Sequence, residues 1–437
     1  MNYFLELWNT DVLTLFMLGV AAVITVAGVL MSVNVFQNEV KTGTLSPKRQ
    51  KYAIGLLVAS IIFGAIGLMA NHLGLLWLSI QGLSAVGVAS LVLHERNNTK
   101  ELIRRFGIRA AFGAIIGGVG VGILKIVAMQ HGVSIMEAGM ISSIMDVVGS
   151  FAPWQVQSAF VLVFLGFGVS IGIAPMHFGL SELYSKMLSP LVALIGPMSM
   201  LVGVFGILRC REIVDVALAD GGVWTGKVLM IFGLITLFIF AFSLLRQNNY
   251  KKFFFEISCF HVGLILCMSG FGFAGTIPAL MHLAAVAILA SAFFSIAGML
   301  HATYKTTKCS GIRQLSRMLP ITTVLLGLLI VGSAFFPIAS TFTSTMIGIG
   351  YGLQMHPFFA ALVIFVLIVF VLACVMFYIR LVLQQQEETV LLFPANWKIS
   401  IGIVMVFLCM LAGFGWYIGT QDGVKFFVDS AQLIVEL

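Results

Sequence analysis

Long apolar stretches separated by short polar segments run through the whole chain. A helix that crosses a hydrocarbon layer of roughly 30 Å needs about 20 apolar residues. Stretches of this kind lie near 12–34, 52–70, 72–94, 106–129, 158–178, 189–208, 226–245, 253–274, 277–300, 318–337, 356–382 and 398–419. The pattern predicts an all-α polytopic membrane protein with about 12 transmembrane helices.

Composition agrees with this prediction and narrows the chemistry. Of the 437 residues, 60% are hydrophobic and 9% are charged, and the mean hydropathy is +1.08, which excludes a soluble domain. The six cysteines form no CxxC pair and no Cys/His cluster. We therefore expect no metal site and no cofactor, and any electron transfer belongs to another subunit.

The basic residues alternate between the two sets of loops. One set carries most of them, whereas the other carries only Arg209, Arg211, Lys227 and Lys425, and Lys125, within the fourth predicted span, belongs to neither set. Because Lys and Arg collect on the cytoplasmic side, both termini are predicted to be periplasmic in a bacterial inner membrane. The net charge of +7 follows from this asymmetry, so it indicates anionic lipid headgroups rather than nucleic acid as the counterpart.

The spans predict one membrane domain, residues 1–420, followed by an amphipathic tail, residues 421–437. The first span has no basic segment before it and no cleavage site, so it is predicted to be retained. Residues 341–352 are rich in Thr, Ser and Gly and only weakly apolar, which favours a discontinuous helix. A run of glycines inside the fourth span predicts close helix packing; these are Gly117, Gly118, Gly120 and Gly122.

Residues 172–209 contain an ordered motif: a Pro-Met-His end of one helix, a polar loop, a Ser-Pro start of the next helix and a closing Leu-Arg. This motif resembles the antiporter-like membrane subunits of respiratory complex I and of the energy-converting hydrogenases. The matching residues are Pro175, Met176, His177, Ser189, Pro190, Ala193, Leu194, Leu208 and Arg209.

Two later segments and one earlier segment extend the resemblance from about residue 6 to 385. The segment EVKTGTLSP, residues 39–47, is most similar to the component F branch of hydrogenase 4. The family has about fourteen core helices, and the resemblance implies that this chain begins at the third of them. The later matches are Lys251, Lys252, Ser258, His261 and Gly263, and then Ala279, Leu280, His282, Ala297 and Gly298.

The buried Glu and Lys residues that such subunits carry are replaced by groups that do not titrate. The resemblance places Gln81 at the position of the family's Glu, places Ser170, Leu201 and Ala290 at three Lys positions, and aligns Ser344 with a charged position of the twelfth family helix. A proton relay needs groups that gain and lose protons near the working pH. The sequence therefore predicts that the family's proton path is neutralised.

Several titratable residues leave a second interpretation open. His261 and His282 fall within predicted spans, and Glu256 lies five residues before His261. With His177 and Glu182 at the inner mouth, they define a possible residual proton path, since histidine titrates near neutral pH. Alternatively, the histidines form interhelical hydrogen bonds, Glu256 pairs with Lys252, and His177 and Glu182 cap helices.

The sequence thus predicts an antiporter-like subunit of a complex of the hydrogenase or complex I type, with a structural and docking role. Its partners are then other membrane subunits and the lipid bilayer, and the chain alone carries no catalysis. An active proton or sodium carrier that uses a His and water path is the first alternative. A membrane energy-coupling subunit for inorganic-carbon uptake, paired with a soluble zinc protein, is the second.

Overall fold

A computed structural model describes residues 6–41, 43, 45–93, 98–334, 337, 339–383 and 398–418, together with 423, 425 and 428. The elements it describes are helices. They are α1 Val12–Lys41, α2 Pro47–Met69, α3 Leu73–Ala89, α4 Thr99–Gln130, α5 Ile141–Met145, α6 Pro153–Ile171, α7 Leu180–Lys186, α8 Ser189–Leu218, α9 Val223–Leu244, α10 Tyr250–Gly270, α11 Phe273–Tyr304, α12 Leu315–Met318, α13 Pro320–Ser333, α14 Ser340–Met355, α15 Pro357–Val382 and α16 Lys398–Ile418.

Within these described ranges, eleven helices are long and apolar enough to cross a membrane. They correspond to eleven of the twelve predicted spans, so the polytopic all-α prediction is confirmed. The remaining predicted span, 318–337, is the tenth along the chain and contains α13, a helix of 14 residues. At about 1.5 Å per residue, α13 is roughly 21 Å long, which is less than the hydrocarbon thickness.

Three helices form the centre of the protein. The apolar windows of α8, α10 and α11 are entirely buried, whereas about a third of the α4 and α16 windows is buried, 33% in each case. The outer helices therefore present one face to lipid and one to the centre. This arrangement lets polar side chains on α8, α10 and α11 meet one another away from lipid.

Helix α8 is longer than predicted. The predicted span ended at residue 208, with Arg209 and Arg211 in an outer loop, but the helix continues to Leu218. Both arginine side chains are buried and ion-paired. The assignment of these two residues to a loop was wrong because acidic partners within the protein let both charged side chains lie on a buried helix.

The Pro-Met-His motif lies in a break between two helices. Helix α6 ends at Ile171, Gly172 has a φ of 87°, and α7 begins at Leu180. A β-carbon at Gly172 would also collide with the Cys259 side chain on α10, so glycine fits this position on two grounds. Pro175 lies inside the break, and Ser189 and Pro190 begin α8.

A second break separates α13 from α14 and lies just before residues 341–352, where the sequence predicted a discontinuous helix. Residues 341–352 are themselves helical, because they lie within α14. The Thr341 hydroxyl donates to the Gly332 carbonyl over 2.6 Å and so links the two pieces. Most of the predicted tail, 421–437, lies outside the described residues, although Val428 packs near Ile277 and Met281.

Glycines of the fourth span allow α4 and α6 to approach closely. A β-carbon at Gly166 would overlap the backbone of Gly117, and one at Gly120 would lie 2.8 Å from the Ala159 carbonyl oxygen. Gly118 faces the Trp77 ring, whereas Gly122 has open space around it. The packing role predicted for the glycine run therefore applies to Gly117 and Gly120 and not to Gly122.

Candidate functional site

Two histidines and one serine form a hydrogen-bonded chain at the centre of the protein. His261 Nδ1 lies 3.0 Å from His282 Nε2, and His282 Nδ1 lies 2.8 Å from Ser344 Oγ. The three residues come from α10, α11 and α14 and are fully buried. The structure thus brings together three residues that the sequence singled out separately. We call them the histidine chain.

The direction of donation in the histidine chain can be assigned from its far end. The Ser344 hydroxyl lies 2.8 Å from the Ser340 carbonyl oxygen and 3.2 Å from that of Thr341. When Ser344 donates to a carbonyl, His282 Nδ1 must donate to Ser344, and His282 Nε2 then accepts from His261 Nδ1. Each imidazole carries one proton in this arrangement, so the chain is neutral and its hydrogen bonds all run one way.

The surroundings of the histidine chain are apolar or already hydrogen-bonded. The Phe260 and Phe370 rings pack on the His261 ring, with centroid separations of 5.9 and 5.5 Å. At the Ser344 end, the histidine chain finishes on backbone carbonyls, which accept a hydrogen bond but do not pass a proton onward. The geometry suits a fixed interhelical contact among α10, α11 and α14.

The positions where the resemblance places charged residues hold neutral side chains in the interior. We call Gln81, Ser170, Leu201 and Ala290 the neutral row. Leu201 and Ala290 are buried on α8 and α11. The Ser84 hydroxyl donates to Ser170 Oγ over 2.8 Å. Both polar side-chain atoms of Gln81 are buried and have no hydrogen-bond partner among the described residues.

Three members of the neutral row lie on helices that meet at one point. A β-carbon at Gly203, two residues after Leu201, would lie 3.2 Å from Ile80, and it would also contact Ile171. These two isoleucines adjoin Gln81 on α3 and Ser170 on α6. Ala290 lies on α11 eight residues after His282, about 12 Å along the helix axis. The neutral row therefore extends through the interior of the protein, and none of its four side chains is ionisable.

His177 and Glu182 do not form a relay with each other. The His177 ring packs between Phe178 and Phe240, with centroid separations of 5.0 and 4.9 Å. Burial, and then the Arg109 cation, lower the pKa of the His177 imidazole, so it is neutral at pH 7. Glu182 instead pairs with Arg105 and Lys186.

The environment of Glu182 keeps its carboxylate charged. Burial acts to raise the pKa of this carboxyl, but the Arg105 cation and its hydrogen bond outweigh burial, and the pKa is lowered overall. Its oxygens are engaged by two cations rather than by backbone N–H groups. Glu182 thus lies in the first turn of α7 and takes part in a surface ion-pair network.

Glu256 is a buried carboxyl with two neutral partners. The Ser243 hydroxyl donates to Glu256 Oε2 over 2.8 Å, and the Gln247 amide donates to Oε1 over 2.6 Å. Among the described residues Glu256 and Lys252 form no direct ion pair, although the Lys252 charge is close enough to interact with this carboxyl. Lys252 lines a cavity at the membrane border, which is described below.

The remaining motif residues hold helices together. The Lys251 ammonium, although buried, donates to the Met187 carbonyl over 3.2 Å. A β-carbon at Gly263 would lie 3.0 Å from the Gly233 carbonyl oxygen, and one at Gly298 would contact Met31 and Ser189. These motif residues therefore lie where α8, α9, α10 and α11 pack against their neighbours.

Sequence reasoning missed a buried group of charges in the C-terminal part of α8. Arg209 pairs with Asp11 and lies 3.9 Å from Glu212, whose carboxylate oxygens have no hydrogen bond among the described residues. Arg211 pairs with Asp215 at 2.9 Å and donates to the Ser269 carbonyl over 2.6 Å. The signal was present, since Arg209–Glu212 and Arg211–Asp215 have helical i,i+3 and i,i+4 spacing.

Comparison with known proteins assigns this architecture. The sequence model of a family described as "NADH:quinone oxidoreductase/Mrp antiporter, TM" matches residues 70–371. The chain belongs to this family. The match includes every member of the neutral row and of the histidine chain, so the alignment of those positions rests on a segment that is shared with the family.

The curated relatives of this antiporter-family chain are distant. It is 21% identical to the hydrogenase-4 component F homolog of Methylacidiphilum infernorum over 293 residues, which are 67% of this chain and 61% of the relative. It is 23% identical to NAD(P)H-quinone oxidoreductase chain 4 1 of Synechococcus elongatus over 197 residues, 45% of this chain and 36% of the relative. The chain thus spans less than two thirds of either relative.

Solved structures share the antiporter-family fold at low identity. A chain of Thermus thermophilus respiratory complex I with bound NADH matches with a TM-score of 0.78 and 14% identity, covering 98% of this chain and 85% of that one. A chain of the membrane-bound sulfane sulfur reductase, an archaeal respiratory membrane complex, matches with a TM-score of 0.76 and 18% identity, covering 88% and 76%. The predicted antiporter-like fold is confirmed.

Proposed function

We propose that this chain is an antiporter-like subunit of a multi-subunit energy-converting membrane complex of the hydrogenase or complex I type, and that it has a structural and docking role. The observation that carries the proposal is the neutral row inside the family fold. A charge within the bilayer costs at least about 2.5 to 3.5 kcal/mol. Family members that keep such charges use them, and this chain replaces them with Gln81, Ser170, Leu201 and Ala290.

The histidine chain supports the structural role. It joins α10, α11 and α14 through neutral hydrogen bonds that end on carbonyls of α14. Hydrogen bonds between buried side chains of three helices rigidify a core. In this role, the histidines hold α14, the helix that follows the second break, against α10 and α11.

The contact between His261 and His282 also carries a second candidate function, proton transfer. A proton that enters at His261 Nε2 would let the Nδ1 proton of His261 pass to His282 Nε2 and the Nδ1 proton of His282 pass to Ser344 Oγ, while the original hydroxyl proton of Ser344 leaves at the far end. A single proton could move along the chain in this way. This candidate also needs water contacts at both ends, and it predicts that conservative histidine substitutions abolish ion movement.

Partners are proposed from the surface and from the relatives. Large apolar side chains are exposed on several outer helices, among them Phe112 on α4, Phe358 on α15 and Trp416 on α16. Lipid or neighbouring subunits must cover such faces. We propose that antiporter-like subunits and hydrogenase or quinone-reductase modules contact this chain, and that any redox chemistry occurs there.

The topology proposed from charge is a bacterial inner-membrane protein with both termini in the periplasm. Residues 1–420 are proposed to form one membrane domain and 421–437 a tail along its surface. Cysteine accessibility in intact cells tests the orientation, with single cysteines introduced at Lys48 and at Gly221. Only the second is expected to react with an impermeant thiol reagent added from outside.

The experiment that tests the assembly is affinity purification from native membranes in mild detergent, followed by mass spectrometry. Hydrogenase or quinone-reductase modules and other antiporter-like subunits are expected to copurify, and membranes from an untagged strain provide the control. Recovery of the chain alone, with ion flux when it is placed in liposomes, would contradict the proposal. A soluble zinc protein as the main partner would favour the inorganic-carbon alternative instead.

A further inference from the structure

A cavity of about 890 Å³ opens at one end of α9, α10 and α15 and has a strongly basic lining. Four cationic side chains line it, and no carboxylate is among the lining residues that the structure describes; the cations are Arg246, Lys252, Lys308 and Arg380. They come from the α9–α10 loop, the start of α10, the segment after α11 and the end of α15. We call this the basic cavity.

Hydrogen bonds between distant parts of the chain build the wall of the basic cavity. The Cys309 N–H donates to the Asn248 carbonyl over 2.8 Å, and the Asn249 amide donates to Thr307 Oγ1 over 3.0 Å. Arg380 donates to Asn248 Oδ1 over 3.1 Å. The cavity therefore has its shape before any ligand enters, which reduces the ordering cost of binding.

Among the described residues, the Glu256 carboxylate is close enough to interact with the Lys252 charge, but it does not line the cavity. Glu256 lies behind Gln247, whose amide lines the cavity and donates to Glu256 Oε1 over 2.6 Å. Four cations grouped around one space repel one another, and an anion placed among them offsets that repulsion. The amides of Asn248 and Asn249 and the Ser310 hydroxyl add neutral polar groups to the same lining.

The rim of the basic cavity is apolar on one side. Ile379 and Leu383 line it and are 48% and 66% exposed. They extend α15, which faces lipid along its membrane-spanning length. A ligand that fits both parts has an anionic head for the cations and hydrocarbon for the rim.

We propose that the basic cavity binds the phosphate headgroup of an anionic membrane lipid, with its acyl chains along the exposed end of α15. The phosphate oxygens accept hydrogen bonds from the Arg and Lys side chains, and the amides contact the remaining headgroup. The site is separate from the histidine chain and from the neutral row. Its test is therefore independent of whether the chain moves protons.

The test measures binding of three probes to the purified full chain in a neutral detergent, by native mass spectrometry and by thermal shift. The probes are dihexanoyl-phosphatidylglycerol, dihexanoyl-phosphatidylcholine and inorganic phosphate. We expect the phosphatidylglycerol to bind and to raise the melting temperature, with at least about tenfold preference over the other two. Equal binding of free phosphate and phosphatidylglycerol would assign the site to phosphate alone and overturn the lipid proposal.

Two exposed cations of the cavity provide the decisive variant, Arg246→Gln with Lys308→Gln. Removing both is expected to weaken phosphatidylglycerol binding by at least about tenfold. The matched control is Lys48→Gln with Lys51→Gln, which removes two exposed cations from the start of α2 and is expected to leave binding unchanged. Equal losses in the two variants would show general surface attraction and overturn the proposal.

The sequence after Leu383 offers one more control. Glu387 and Glu388 are the acidic residues that follow Leu383 in the sequence, and both lie outside the described residues. The variant Glu387→Gln with Glu388→Gln is expected to bind phosphatidylglycerol as the unmodified chain does. Lipid binding that appears only in this variant would overturn the proposal.

Discussion

The Ser84 hydroxyl donates a hydrogen bond to the Ser170 hydroxyl over 2.8 Å, between α3 and α6. Family resemblance places a lysine at position 170 and a glutamate at position 81, one helical turn before Ser84. Residues three apart on a helix are neighbours on its surface. Gln81 and Ser170 are therefore neutral side chains at the two neighbouring positions where the resemblance places a Glu and a Lys.

Restoring the charges one at a time should destabilise the protein. Ser170→Lys places an ammonium group among apolar side chains, at an expected cost of about 2.5 to 3.5 kcal/mol. Gln81→Glu in the same chain supplies a nearby carboxylate and is expected to offset part of that cost. A double-mutant cycle on detergent-solubilised protein, read by thermal or denaturant unfolding, measures the coupling.

Strictly additive effects in that cycle would show that positions 81 and 170 do not face each other. A useful control is Leu201→Met, a conservative apolar change on α8. It should cost less than about 1.5 kcal/mol and show no coupling to Gln81→Glu.

The contact between α4 and α6 gives a second prediction. Gly166→Ala forces a methyl group into the backbone of Gly117, so the helices must separate. We expect a loss of about 1 to 3 kcal/mol, the usual cost of overpacking. Gly122→Ala, on α4 five residues after Gly117 but with open space around it, should be neutral or slightly stabilising, and equal effects of the two substitutions would contradict this account.

Much of the fold could be predicted because hydrocarbon thickness sets span length directly. The end of α8 could not, since Arg209 and Arg211 look like loop residues unless their partners are known. Those partners are Asp11, 198 positions away, and the Ser269 carbonyl. Short-range spacing indicates Glu212 and Asp215, but long-range pairing has no local signal.

The histidine chain shows the same limit. Sequence reasoning identified His261, His282 and Ser344 individually, because each is polar inside an apolar span or matches a family position. Their mutual hydrogen bonds depend on how α14 packs against α11. The i,i+4 spacing of Lys252 and Glu256 was misleading, since the Glu256 carboxyl turns toward Ser243 and Gln247.

The buried ion pair between Arg209 and Asp11 gives a third prediction. Arg209→Gln leaves Asp11 and Glu212 as nearby carboxyls without their common cation, and we expect a loss of about 3 to 5 kcal/mol in unfolding free energy. Glu101→Gln breaks the exposed pair with Arg104 and should leave the melting temperature unchanged. Similar melting temperatures for the two variants would contradict the buried pairing.

The same pair predicts a pH dependence. Burial acts to raise the pKa of the Asp11 carboxyl, but Arg209 and the Thr14 hydrogen bonds outweigh it, so the pKa falls below 3.8. A lowered folded-state pKa means that the stabilisation is fully present above about pH 4 and is lost as the pH falls through the folded value. Asp11→Asn should remove this acid-side loss from the melting temperature profile, whereas an unchanged profile would argue against the ion pair.

Truncation of the histidine chain should be costly even without any role in transport. His282→Ala removes a partner from both His261 and Ser344 and opens space between α11 and α14. We expect a loss of about 1 to 3 kcal/mol for each buried group left unsatisfied. His282→Gln retains hydrogen-bonding atoms and should lose less; a stability order with Gln below Ala would contradict the proposed network.

Proton pumping by the intact complex that carries His261→Gln or His282→Gln tests the central claim most directly. The complex is reconstituted in liposomes, and acidification of the interior is measured together with redox turnover, so that pumping is expressed per electron. The neutral row and the carbonyl-terminated histidine chain predict an unchanged ratio in both variants. Loss of pumping with assembly and turnover preserved would contradict the structural role and make this chain a proton carrier.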